Sequence, residues 1–225
     1  MKLIATKNHQ SLPDIDALKR LLQSLAVLDM IMSPEWDYRY YSFDSQWSEG
    51  ETMGAMRNGC GDSFNILFNS SGSFIKGCAH DYPLSSWLEG NLARWKTALK
   101  TVPNEFSSAL GEPAFDMDSI SFCYWRTTTD KLWQCTSIEM PEPGDPDGAQ
   151  FLLEILDSKP GTYQSFVEKY YEQDIPLSPI KDVYCHTPMT QDIINLLNPE
   201  VKLADIQTQL LEIGYPVGDK IMLDS

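Results

Sequence analysis

The sequence predicts an α+β fold: an antiparallel sheet built from two hairpin regions, packed by an N-terminal helix and a mainly helical C-terminal third. Three observations carry this expectation. Strand-type alternation is confined to residues 36 to 78 and 119 to 139. Helical periodicity lies outside those regions, not between successive strands as a doubly wound sheet requires. The sequence has no internal repeat and no low-complexity segment, which argues against a solenoid or a disordered tail.

The first helix spans residues 11 to 32. Ser11 and Asp14 resemble a capping box, Pro13 is tolerated in a first turn, and Ile15, Leu18, Leu22, Leu25, Leu28 and Met32 recur three and four apart. Ser33-Pro34 ends it, because proline lacks an amide donor and disfavours helix in the residue before it. Trp36, Tyr38 and Tyr40, spaced by two, predict a strand. The stretch GETMGAMRNGCGD (50 to 62) reads as a glycine-rich loop between strands. Phe64, Ile66 and Phe68 alternate, Asn69-Ser70-Ser71-Gly72 turns, and the chain resumes at Phe74, so residues 63 to 78 predict a hairpin.

A helix over residues 84 to 100 follows, weakened by Gly90, and a shorter one begins at Pro103 and closes at Gly111-Glu112-Pro113. Ile120 to Trp125 and Leu132 to Glu139 predict a second hairpin about Thr127 to Asp130. PEPGDPDG (141 to 148) is the strongest break. Residues 1 to 225 read as one α+β domain with a subdomain boundary there and a helical subdomain over 149 to 225.

The formal charge of −15 is uneven. Residues 1 to 110 carry 10 Lys and Arg against 12 Asp and Glu, a net of −2, whereas residues 111 to 225 carry 7 against 20, a net of −13. Such a field repels phosphate backbones and anionic lipid and attracts basic partners, which points away from nucleic acid and membranes and toward a basic protein. Five scattered cysteines with no CxxC pair suit reduced thiols in a cytosol. No secretory h-region follows the start, and no apolar run approaches a membrane span, so the expected setting is cytoplasmic.

No stretch specifies a reaction. Asp145, Asp147, Gly148 and Glu154 fit a calcium-loop template at positions 3, 5, 6 and 12, but its first position is Pro143, which supplies no carboxylate. Helix capping by Asp145 and Asp147 is the preferred reading. Cys78, His80, Cys185 and His186 lack zinc spacing, so neither a metal nor a cofactor is expected. Cys123 and Cys135 fall nearly opposite each other in the second hairpin and read as buried thiols. A small-ligand site, if formed, uses Glu51, Arg57, Asn58, Asp62 and His80 around the glycine-rich loop, with Arg57 paired to Asp62 or Glu51. A partner surface uses Tyr41, Trp47, Glu142, Asp145 and Asp147, since aromatic anchors and steering charges dominate recognition.

The segments YRYYSFDSQWSEGETMGAMRNGCGD, NILFNSSGSFIKGCAHD and EPAFDMDSISFCYWR resemble those of an uncharacterised family of bacterial cytosolic proteins, over about residues 12 to 215. The resemblance implies a bacterial origin and carries over no catalytic residue, cofactor or substrate. In size, acidity and α+β layout the chain is more loosely similar to bacterial toxin-immunity proteins, which implies a protein partner. The leading expectation is therefore an acidic protein-binding protein of immunity-like or adaptor type. The alternatives are a small-ligand binder or enzyme at residues 51 to 62 with His80, and self-association.

Overall fold

The computed structural model describes residues 4–136, 138–139 and 144–218. In chain order its main elements are α1 (Ile15–Met32), β1 (Tyr41–Ser48), β2 (Glu51–Arg57), β3 (Ser63–Asn69), β4 (Gly72–Cys78), α2 (Asn91–Ala98), α3 (Ser107–Gly111), β5 (Phe122–Thr127), β6 (Gln134–Cys135), α4 (Ala149–Leu153), α5 (Pro160–Tyr170), α6 (Leu177–Tyr184), α7 (Gln191–Leu197) and α8 (Leu203–Ile213). The predicted α+β class is the observed one. The strands form a single antiparallel sheet in the order β1-β2-β3-β4-β5-β6, each strand pairing with its sequence neighbour.

Side-chain alternation divides the sheet into two covered faces. Phe43, Phe64, Ile66, Phe68, Ile75 and Tyr124 point to the face that packs α1 and the C-terminal helices. Leu67, Phe74, Cys123 and Trp125 point to the other, where Trp95 of α2, Phe106 and Phe115 complete a smaller core. The first core runs without a break from Ile4 to Tyr215, so residues 149–215 share it with the sheet.

Asp14 caps α1 by accepting from the Ala17 amide at 2.9 Å. The helix begins later than residue 11 because Thr6–Ser11 forms a separate 3-10 turn. From Leu21 to Met32 it is buried all round, not along one stripe, because the sheet covers one side and the C-terminal helices the rest. Its polar residues are satisfied across that packing. Ser24 Oγ donates to the Val183 carbonyl at 3.0 Å and Gln23 Nε2 to the Ile213 carbonyl at 2.9 Å.

The β3–β4 hairpin forms as predicted, with Asn69 opposite Gly72 and Gly72 at φ +147°. Three local expectations differ. Trp36–Tyr38 is a 3-10 turn, with Trp36 and Tyr38 exposed, and the strand starts at Tyr41. Glu51–Arg57 is no loop but the second strand, paired on both sides. The segment before α2 is a run of turns, and the helix starts only at Asn91. In the second hairpin Cys135 pairs with Tyr124, so Cys123 and Cys135 point to opposite faces and both are free thiols. Of the punctuation at 141 to 148, residues 141–143 lie outside the described residues. Among the described residues no helix is long and apolar enough to cross a membrane.

Candidate functional site

Of the five predicted ligand-site residues, the fold brings three together. Asn58 Nδ2 donates to Asp62 Oδ2 at 2.7 Å, and Asn58 Oδ1 accepts the Cys60 and Asp62 amides, which closes the 58–62 loop. Asp62 Oδ1 accepts the His80 amide at 3.0 Å and lies 2.8 Å from His80 Nδ1. His80 Nε2 lies 3.1 Å from Asp81 Oδ2. The hydrogen bond from Asp62, joined by the charges of Asp62 and Asp81, raises His80 above its ordinary value of 6.5 against a smaller effect of burial. With a carboxylate beside each ring nitrogen, His80 ties the 58–62 loop to the end of β4.

Glu51 and Arg57 stand apart from this cluster. Because β2 is a strand, the two occupy its opposite ends, about 20 Å from each other. Glu51 Oε1 accepts from Ser108 Oγ at 2.7 Å. Arg57 donates to the Trp36 carbonyl at 3.0 Å and lays its guanidinium 5.2 Å from the Trp36 ring centre. Neither expected ion pair of Arg57, to Asp62 or to Glu51, is among those of the described residues.

The predicted partner surface is also redistributed. Tyr41 is only 5% exposed, because its alternation places it in the α1-side core. Trp47 packs partly buried against the opposite core. Asp145 accepts the Gln150 and Phe151 amides and Asp147 the Ala149 amide, so both cap the start of α4. Asp147 is 2% exposed, with its other oxygen bonded to Thr6, and cannot face a partner. Burial pushes its carboxyl up to about 6 against the Thr6 and Ala149 hydrogen bonds, with neighbouring Asp145 adding to the rise. Glu142 lies outside the described residues.

Among the described residues a concavity lies elsewhere, where the start of the sheet meets α4 and α5. It encloses about 450 Å³, lined by Tyr40, Tyr41, Met56 and Asn58 from the sheet end and by Phe151, Ile155, Phe166 and Tyr170 among others from the helices. One wall is a packed aromatic cluster: Tyr40 meets Tyr170 at 4.5 Å and Phe166 at 5.2 Å between ring centres, and Phe166 stacks on Tyr170 at 5.5 Å. Phe151 stacks on Tyr82 at 6.1 Å. Phe151 and Tyr170 remain 53% and 44% exposed on its walls. Burial, then Tyr170, pushes the Tyr40 phenol up to about 12. Asp145 and Asp62 both act on the Tyr82 phenol after burial, and Glu154 sits on the lining, so the Phe151 end of the groove is acidic. Lys169 lines the α5 side.

Of the sequence-predicted site residues, Asn58 and Tyr41 line this groove, and the rings of the helices were missed. The available signal was TYQSFVEKYY, whose Phe166 and Tyr170 are four apart and exceed what one core stripe needs. Among the described residues no group of three or more His, Cys, Asp or Glu side chains is placed to hold a metal ion. Comparison with known protein families, curated proteins and solved structures finds no match to the chain.

Proposed function

We propose that this chain is a bacterial cytoplasmic binding protein, of immunity-like or adaptor type, that captures a basic polypeptide by seating one of its apolar side chains in the aromatic groove. The observation that carries the reading is the groove of about 450 Å³ with Phe151 and Tyr170 left exposed on its walls. Exposed aromatic walls around a concavity are the usual anchor site for a partner's side chain. Charge selects the partner. The net of −13 over residues 111 to 225, with Asp62, Asp145 and Glu154 near the Phe151 end, favours Lys- or Arg-rich segments. A second copy would bring a formal charge of −15 against this one, which favours a basic partner over self-association.

Fluorescence anisotropy with short Lys/Arg-rich peptides tests this, each made with one Trp or with Ala in its place. The Trp peptides are expected to bind, more weakly at high salt, and to lose affinity in Phe151→Ser, a change that removes little buried surface. Failure of every Trp peptide, or binding unaffected by Phe151→Ser, would refute the reading. The competing reading, a small-ligand or enzyme site at residues 51 to 62, draws support only from the convergence of Asn58, Asp62 and His80. It predicts that a metabolite shifts the His80 ring resonances while leaving those of Phe151 unchanged.

A further inference from the structure

Beneath the groove, one side chain touches both of its walls. Asp29, near the C-terminal end of α1, is 0% exposed. Its Oδ2 accepts the amides of Tyr40 and Tyr41 at 2.5 and 3.1 Å, and its Oδ1 accepts the Tyr171 hydroxyl at 2.9 Å. Tyr40 and Tyr41 line the groove from the sheet; Tyr171 follows Tyr170, which lines it from α5. We propose that Asp29 is a positioning residue for the groove: its ionised carboxylate holds the sheet wall and the α5 wall at their binding separation, and a proton on it weakens that tie. This inference rests on the reading of the groove as a binding site.

The hydrogen-bond inventory gives the mechanism. A carboxylate is acceptor only, and Asp29 meets three donors. When it is protonated, the new O–H must sit on one oxygen. Oδ2 already takes two amides that are fixed in the backbone, so the proton goes to Oδ1. There the new O–H donates to the Tyr171 oxygen, so the bond reverses and changes from charge-assisted to neutral, and the end of α5 is tied less strongly to the sheet. Among the described residues, the groups that interact electrostatically with Asp29 are Arg39 and the phenols of Tyr40, Tyr41, Tyr163 and Tyr171. Arg39 precedes the strand and stays cationic, donating to the Ser33 and Pro34 carbonyls and to Gln209. Tyr40 and Tyr41 at the strand, Tyr163 and Tyr171 at α5, and Tyr184 at α6 are all phenols that burial pushes upward. Burial likewise raises Asp29 from 3.8 to about 6, against the Tyr41, Tyr171 and Tyr40 hydrogen bonds and the Arg39 charge.

Two measurements separate this inference from the binding reading. The first needs no ligand: the Tyr40 and Tyr170 ring resonances are followed by NMR across pH in wild type, Asp29→Asn and Tyr171→Phe. Wild type is expected to show both rings moving with one midpoint near 6, and Asp29→Asn neither. In Tyr171→Phe, which keeps the carboxylate and removes its α5 partner, Tyr40 still titrates and Tyr170 no longer follows. Rings that stay still in wild type, that titrate equally in Asp29→Asn, or that remain linked in Tyr171→Phe overturn the inference whether or not any peptide binds. The second is the Trp peptide titration. One unit below its midpoint Asp29 is about one-tenth ionised, so affinity is expected to be about tenfold weaker at about pH 5 than at about pH 7.5, a difference absent from Asp29→Asn. Equal affinity at both pH values overturns the gating. A peptide that never binds removes the binding reading and leaves the ring titration to decide on Asp29.

Discussion

The ring of Phe122 on β5 occupies the space that a side chain at Gly77 on β4 would need. The two residues are direct cross-strand partners, and a Cβ at 77 would fall 1.9 Å from Phe122 Cζ. Neither ring nor backbone has room to yield, since Phe122 is buried in the larger core. Gly77→Ala is expected to destabilise the fold by about 1–3 kcal/mol in urea unfolding. Adding Phe122→Leu to that variant is expected to recover part of the loss, because the two positions compete for one volume.

Lys76, beside Gly77, is 1% exposed and faces the smaller core. It makes none of the ion pairs found among the described residues. Burial pushes its ammonium down from 10.5, against the opposing effects of Cys78 and Asp116. Desolvation of this ammonium opposes folding, and Lys76→Met is expected to stabilise the protein by about 1–4 kcal/mol. The unfolded chain holds the proton more tightly, so wild-type stability rises with pH between the lowered value and 10.5. A Met variant that unfolds more easily than wild type would contradict this.

Asp29 and Asp147 are both raised from 3.8 to about 6. Over that interval the folded chain binds protons more tightly than the unfolded one. Each carboxyl therefore favours folding below about 3.8, and this contribution is lost as pH rises through about 6. For Asp29 the effect is on the order of 3 kcal/mol. Urea titrations from about pH 4 to about pH 7 are expected to show a smaller fall in stability for Asp29→Asn than for wild type. Parallel curves would show that Asp29 titrates alike in both states.

His80 provides a second test of the same sign, at higher pH. Its folded-state value lies above 6.5 because of Asp62, so it contributes stability below 6.5 that disappears as pH rises through the folded value. Asp62→Asn is expected to move the His80 NMR midpoint downward. The stability gap between wild type and variant is then present in mild acid and shrinks in mild alkali. An unmoved midpoint would assign the shift to Asp81 alone.

Thiol reactivity checks the placement of the cysteines. Cys60 and Cys185 are exposed, whereas Cys78 and Cys123 are buried and their thiols are pushed up by burial. A mild thiol reagent is expected to label Cys60 and Cys185 rapidly and to reach Cys78 and Cys123 only on unfolding. Oxidation of the folded protein is expected to leave Cys123 and Cys135 unlinked, since they leave the sheet on opposite faces. A bridge between them would require a different register.

What was legible in the sequence was what neighbouring residues decide. The β3–β4 hairpin follows from Phe64, Ile66 and Phe68 with a turn at Asn69–Gly72, and α1 from its leucines and Asp14. Strand β2 was not legible, because Gly54 resembles a loop residue. It is there because α1 lies close: a Cβ at 54 would sit 2.9 Å from Leu22 Cδ1. Trp36 and Tyr38 mimic a strand, yet Arg39 and Arg57 draw Trp36 into a turn with guanidinium groups at 5.7 and 5.2 Å. The groove was illegible for a different reason. Its walls come from segments about a hundred residues apart, and no local pattern links Tyr40 to Tyr170.

That separation has a consequence during synthesis. Tyr40, Tyr41, Met56 and Asn58 emerge early, and the sheet they belong to grows hairpin by hairpin as each strand meets its predecessor. Phe151 to Tyr170 leave the ribosome about a hundred residues later, roughly 5–20 s at ordinary rates of translation. Until then a nascent chain has one wall of the groove and nothing to close it. A partner that needs both walls can select only molecules whose α4 and α5 have docked on the sheet, so capture would itself report that docking.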